Sequence, residues 1–192
     1  MDHPHEIVLV RHGETEWTKT GQHTGKTDVP LTDEGRREAE ALGARLRGQR
    51  FALILTSPLS RAAETCRLAA PQGPVETSPD LVEWDYGDYE ARTTHDIRQE
   101  RPGWFLWRDG VPHGETVEQV GARADRVLAR ARALEGDVAL FAHGHILRIL
   151  TARWLGLPPD AGRLFALSPA TLSILAWEHE TPVLLRWNDE PG

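Results

Sequence analysis

The chain of 192 residues reads as an α/β protein, a three-layer α/β/α sandwich with a mainly parallel central sheet. Three short apolar runs, Ile7-Val8-Leu9-Val10, Ala52-Leu53-Ile54-Leu55 and Val138-Ala139-Leu140-Phe141-Ala142, are continuous rather than alternating. That is the pattern of strands buried on both faces. The segments between them carry apolar residues at helical spacing, and strand–helix alternation places helices on both sides of such a sheet.

Each element follows from its own signals. After the first run, Thr32 is an N-cap for a helix through about Arg47, with Ala39, Leu42 and Leu46 on one face. After the second run, Pro58 opens a helix through about Ala70. The stretch 71–114 is rich in Pro, Gly, Trp and charge, and its periodicity is weak. It is expected to cover the active site rather than build the core, with at least two of Trp84, Trp104 and Trp107 packing it onto the sheet. Val117, Val120, Ala124, Val127, Leu128, Ala131 and Leu134 form one stripe of a helix from about Thr116 to Leu134. The third run is followed, after Gly144, by a helix with Ile146, Ile149, Leu150 and Trp154 inward. It ends before Gly156 and Pro158-Pro159. Leu172–Trp177 and Val183–Trp187 read as edge strands joined by a turn at Glu180-Thr181-Pro182. No repeat or linker divides the chain, so residues 1–192 are expected to form a single domain.

Composition excludes several classes. With 40% apolar residues the chain is not disordered. A net charge of −7 opposes a phosphate backbone, so nucleic acid is not the expected partner. The lone cysteine, Cys66, permits neither an intrachain disulfide nor a thiolate metal cage, and reads as a small buried residue. No apolar run approaches the ~18 residues of a membrane span. The N-terminal residues Met1–His5 do not read as a secretory signal, so a cytoplasmic location is expected.

The chemistry lies beyond the carboxyl ends of the apolar runs, where open α/β sheets bind ligands. There stand Arg11-His12-Gly13-Glu14-Thr15, Thr56-Ser57-Pro58-Leu59-Ser60-Arg61 and His143-Gly144-His145. Two histidines and two arginines converge on one rim and make a pocket for a dianion, with helix N-termini at Pro58 and Gly144 adding partial positive charge. Neutral imidazole is a nucleophile toward phosphorus, and covalent catalysis splits one displacement into two. Its partner is an acid that protonates the departing alkoxide and later deprotonates water. Glu83 is the leading candidate, with Asp85 and Asp88 as alternatives that spacing leaves open. His143 and His145 lack further ligands at metal-binding spacing, so neither a metal nor another cofactor is expected.

These motifs, together with Gly21-Gln22-His23-Thr24-Gly25, Asp28-Val29-Pro30-Leu31-Thr32, Trp107-Arg108-Asp109-Gly110 and Gly114-Glu115-Thr116, resemble the histidine phosphatase (phosphoglycerate mutase-like) superfamily from about residue 6 to 155. The resemblance implies a phosphohistidine at His12, with Arg11, Arg61 and His143 holding the phosphoryl oxygens and Glu83 as proton donor. Within the superfamily, Glu83–Glu90 and Phe141–His145 with Arg148 look most like sugar bisphosphatases of the sedoheptulose-1,7-bisphosphatase type and related acid phosphatases. That likeness implies that His23, Thr24, Tyr86 and Arg148 hold the rest of the substrate. Ala91 departs from the pattern, standing where the family commonly has Gly, which bears on the local turn.

The expectation is a metal-independent phosphatase acting on small phosphate monoesters, sugar (bis)phosphates foremost. A cofactor-dependent phosphoglycerate mutase is the alternative, and a non-catalytic phosphate-binding module a third reading. The expected partner is a small anionic ester, with no nucleic acid and no membrane; a homodimer is left open.

Overall fold

The computed structural model describes residues 5–190. In chain order the elements are β1 (Ile7–Arg11), α1 (Glu16–Thr20), α2 (Asp33–Leu46), β2 (Leu53–Thr56), α3 (Ser60–Ala69), β3 (Val75–Thr77), α4 (Thr94–Glu100), α5 (Leu106–Asp109), α6 (Val117–Arg132), β4 (Val138–Ala142), α7 (Gly144–Trp154), β5 (Leu172–Glu178) and β6 (Thr181–Asp189). The sheet order is β3-β2-β4-β1-β5-β6. β3, β2, β4 and β1 run parallel, whereas β5 and β6 are antiparallel to their neighbours. The architecture is the expected one, with the antiparallel pair at one edge.

Alternate residues of the apolar runs divide between two cores. Ile7, Leu9, Leu53, Leu55, Val138 and Leu140 face one side, with α6 and α7. Val8, Val10, Ile54, Ala139 and Phe141 face the other, with Leu42 and Leu46 of α2 and Cys66 of α3. Both faces of each central strand are therefore dry, as continuous apolar runs require. Burial pushes the Cys66 thiol up to about 11, so it is inert packing.

Three expectations need correction. The helix placed at Pro58 begins at Ser60, because its cap comes from elsewhere in the chain: Asp28 Oδ1 accepts from Ser60 N at 2.8 Å and Ser60 Oγ at 2.7 Å. Its N-terminus is thus neutralised by a carboxylate and adds no free positive end to the pocket. Segment 71–114 contains an edge strand, β3, that its sequence had not suggested. The segment also builds the core: Leu81, Trp84, Tyr86, Ile97, Trp104 and Trp107 are all buried in the α6–α7 cluster. Finally, the last hairpin turns at His179-Glu180, so that Thr181 and Pro182 already belong to β6. An edge strand tolerates that proline because its outer N–H has no ladder partner.

Two glycines set the loop after β1. A Cβ on Gly13 would lie 2.3 Å from Gly35 O, and one on Gly35 would lie 2.2 Å from Glu14 O. The backbones of this loop and of the first turn of α2 therefore touch. Thr65 of α3 accepts from Gly13 N at 3.1 Å and holds the loop from the other side.

Ala91 occupies a left-handed position, φ +64°. Its N–H donates to His23 O at 2.9 Å, and its own carbonyl accepts from Gln22 Nε2 at 2.7 Å. The turn is kept by these bonds at the cost of a strained alanine. Ala91→Gly is expected to raise stability by about 0.5–1 kcal/mol, relief of the Cβ clash exceeding the added chain entropy. A thermal melt checks this; an unchanged or lower midpoint would show an unstrained turn.

Candidate active site

Strand register brings the three sequence-distant ends together. Arg11 pairs with Ala142 across β1–β4, and His12 N donates to Ala142 O at 3.0 Å. Ser57 N donates to Phe141 O at 2.9 Å on the other side of β4. His12, Ser57 and His143 thus sit side by side one residue beyond the sheet.

His12 is buried, and its Nδ1 lies 2.8 Å from Gly13 O. A carbonyl only accepts, so Nδ1 carries the proton and Nε2 keeps a free lone pair. Burial pushes the imidazole well below its ordinary range, and the charges of Arg61 and Arg11 push it further. It is neutral at physiological pH. The His143 ring stands 5.1 Å from it, centroid to centroid.

The residues expected on one rim occupy two tiers. Arg11, His12, Glu83, His23, Thr24, Tyr86 and Arg148 line one cavity of about 210 Å³. Arg61 and His143, both fully buried, lie behind His12 and do not line it. Arg61 Nε donates to His143 Nδ1 at 3.2 Å, and its terminal nitrogens donate to the carbonyls of Thr24, Gly25 and Thr27. The acceptor role of Nδ1 puts the His143 proton on Nε2, 2.8 Å from Ser57 Oγ. Burial, then Arg61, holds His143 well below the usual range for an imidazole.

Arg11 Nη1 donates to Leu167 O, while its buried Nε has no partner among the described residues. An unpaired buried donor costs about 1–3 kcal/mol.

Glu83 is held by backbone alone. Oε1 accepts from Trp84 N at 2.9 Å and Ile146 N at 3.0 Å, and Oε2 from His145 N at 2.9 Å. The carboxylate therefore occupies the N-terminus of α7, whose own N-cap, His143, makes no side-chain cap bond. The helix charge assigned from sequence to the ligand is spent on Glu83. The alternatives point elsewhere: Asp85 is an ion-pair partner of Lys26 and accepts from Gly87 N, and Asp88 pairs with the exposed His113.

Around the outer cavity, His145 Nδ1 lies 2.6 Å from Tyr86 Oη. Burial raises the phenol well above its ordinary value and lowers His145 well below its own. Both groups are therefore neutral across the contact. The His23 ring lies tilted against Tyr86, 4.8 Å between centroids, and burial lowers it to about 4. Thr24 spends its hydroxyl on Gln22 O at 3.2 Å. Arg148 lies over Trp107 at 4.8 Å and donates to Gly162 O at 3.2 Å.

Sequence reasoning missed the clamp on the segment that carries Glu83. Arg123 of α6 makes two 2.8 Å bonds to Glu115 and donates to the carbonyls of Asp80 and Val82, also at 2.8 Å. Glu115 in turn accepts from Asp85 N at 3.0 Å. The available signal was the position of Arg123 between Val120 and Val127, on the flank of the apolar stripe, where a charge must find a partner.

His12, His23, His143 and His145 all titrate lower in the fold than in the unfolded chain, near 6.5. Below that pH the unfolded state binds more protons, so stability is complete above about 6.5 and falls as pH falls. Each imidazole contributes a slope of about 1.4 kcal/mol per pH unit. Urea midpoints are expected to drop steeply from pH 7 to 5. A flat profile would mean that the fold accepts protonated imidazoles.

A model of the histidine phosphatase superfamily (branch 1) matches residues 7–190. An acid phosphatase of Mycobacterium tuberculosis is 41% identical over 179 residues, 91% of this chain and 88% of that one. A sedoheptulose 1,7-bisphosphatase of Saccharomyces cerevisiae is 40% identical over 183 residues, 78% of this chain and 67% of that one. A solved structure from an open reading frame of Mycobacterium tuberculosis superposes with a TM-score of 0.91 at 39% identity, covering 98% of this chain and 99% of that one.

Proposed function

This chain belongs to the histidine phosphatase superfamily and is a phosphoric monoester hydrolase, and on that premise we propose that it hydrolyses sugar (bis)phosphates through a phosphohistidine at His12. One observation carries the mechanism. His12 keeps a free Nε2 lone pair and lines one cavity together with Arg11 and Glu83.

In the first step His12 Nε2 attacks phosphorus, the P–O ester bond breaks, and Glu83 gives its proton to the departing alkoxide. The Nδ1–H bond to Gly13 O steadies the positive charge that grows on the ring. Arg11 takes a phosphoryl oxygen directly. Arg61 and His143 act from the rear tier, chiefly through the charge of Arg61, which also keeps His12 unprotonated. In the second step water attacks the phosphorus, the P–N bond breaks, and the water's proton returns to Glu83. His23, Thr24, Tyr86 and Arg148 hold the rest of the ester. The sugar bisphosphate assignment draws support from the yeast relative, and the cationic Arg148 on the cavity wall supports a second negative group near the ester.

The test is phosphate release from an aryl phosphate and from short phosphorylated acids such as 3-phosphoglycerate, with EDTA present. Wild-type enzyme is expected to turn over both classes. Arg148→Ala is expected to weaken the esters with a nearby second charge by about 2–3 kcal/mol, the worth of a charge-assisted contact, and to spare the aryl phosphate. Equal losses on both would remove the second-anion role of Arg148.

A further inference from the structure

Beyond the pair His23 and His145, whose rings stand 6.5 Å apart, a second chamber of about 160 Å³ opens. Both imidazoles line it and the cavity at His12 alike, so the two spaces adjoin at these rings. The rest of the lining is Thr94 and Arg98 of α4 with Trp104, Phe105, Leu106 and Trp107. Water occupies about 30 Å³ in the liquid, so the chamber accepts a group of about five heavy atoms.

The lining has a definite polarity. No acidic side chain borders the chamber. Arg98, exposed at the mouth of the chamber, spends its Nε on Trp104 O at 2.9 Å, and its terminal nitrogens make no hydrogen bond or ion pair among the described residues. The indole N–H of Trp104 is spent on Gly110 O at 2.9 Å, so Trp104 offers the chamber its ring rather than a donor. Thr94 Oγ1 reaches only His23 Nε2, at 3.4 Å. His145 Nδ1 is engaged by Tyr86 Oη at 2.6 Å, and its Nε2 makes no hydrogen bond among the described residues. A fork of guanidinium donors and a hydroxyl, walled by indole faces and lacking any acid, match a carboxylate or a phosphate.

We propose that this chamber is a distal subsite that receives the anionic far end of an extended phosphate ester, a sugar acid or sugar bisphosphate, whose transferred phosphoryl group lies at His12. The proposal rests on the phosphatase reading above and sharpens it. Arg148, which shares the inner cavity with Arg11, meets a charge close to the scissile ester; Arg98 meets one at the end of a longer skeleton. Length therefore decides which arginine matters.

The test compares 4-nitrophenyl phosphate, glucose 6-phosphate, 6-phosphogluconate and glucose 1,6-bisphosphate on wild type, Arg98→Ala and Arg98→Lys. Wild type is expected to prefer the two esters with charged far ends. Arg98→Ala should lower kcat/KM for these by about 10-fold or more, through KM, and change the other two by less than about 2-fold. Arg98→Lys, which keeps the charge without the bond to Trp104 O, should keep the preference. The larger loss of the two identifies carboxylate or phosphate as the better occupant. Equal effects on all four esters, no effect on any, no wild-type preference, or a lysine variant that behaves like alanine would each overturn the subsite. Failure of wild type to hydrolyse 4-nitrophenyl phosphate would instead defeat the phosphatase reading itself.

Discussion

Turnover is lost in His12→Ala while the fold persists. The expected drop is about 10⁴-fold or more, because the phosphohistidine route then has no nucleophile. The fold tolerates the change because the ring makes one hydrogen bond, to Gly13 O, and is held against two arginine charges that lower its affinity for a proton. Its thermal midpoint should stay within about 4 °C of wild type, the shift that roughly 1 kcal/mol produces in a chain of this size. The acid-side loss of stability should shrink by one proton. Wild-type enzyme quenched in alkali during turnover should carry one phosphoryl group on the peptide containing His12. A phosphoryl group on Ser57 or Ser60 instead, or residual activity near wild type, would remove the phosphohistidine mechanism.

Glu83→Gln separates esters by leaving group. An alkoxide needs a proton as it departs, whereas a nitrophenolate leaves almost unaided, so alkyl phosphates should lose about 10²–10⁴-fold and aryl phosphates far less. The same substitution has a structural cost. Glu83 accepts three backbone N–H groups, two on one oxygen and one on the other, at the start of α7. An amide can satisfy only one of these sides, so stability should fall by about 1–2 kcal/mol. Rate ratios for the two ester types, measured well below the melting range, isolate the chemical effect from the structural one. Equal losses on both types would leave Glu83 a helix cap and nothing more.

The two outcomes show how far local sequence reaches. The strands and the delivery of Arg11, His12, Arg61 and His143 to one edge of the sheet were legible because continuous apolar runs encode double-sided burial, and each run is followed closely by these residues; the strand order and the two tiers were not. The α6 and α7 boundaries were legible for the same local reason, a stripe closed by a cap: Thr116 caps α6 in a reciprocal box with Gln119. Ala91 was marked by its departure from the expected glycine, and the structure places it at positive φ.

Partners distant in sequence were not legible. Nothing near Ser60 indicates that Asp28 caps it, and nothing near Gly144 indicates that Glu83 does. Residues 71–114 hid their core because their aromatic side chains bury through turns and one-turn helices, which have no sustained period to read. By itself the sequence determined the layers of the fold and the set of candidate groups, since both are written in local spacing. Only the tertiary structure decided which of those groups line the cavity, which stand behind them, and that Arg98 borders a second chamber. Those choices rest on hydrogen bonds and packing between segments tens of residues apart, formed when each buried donor takes the acceptor the fold brings within reach.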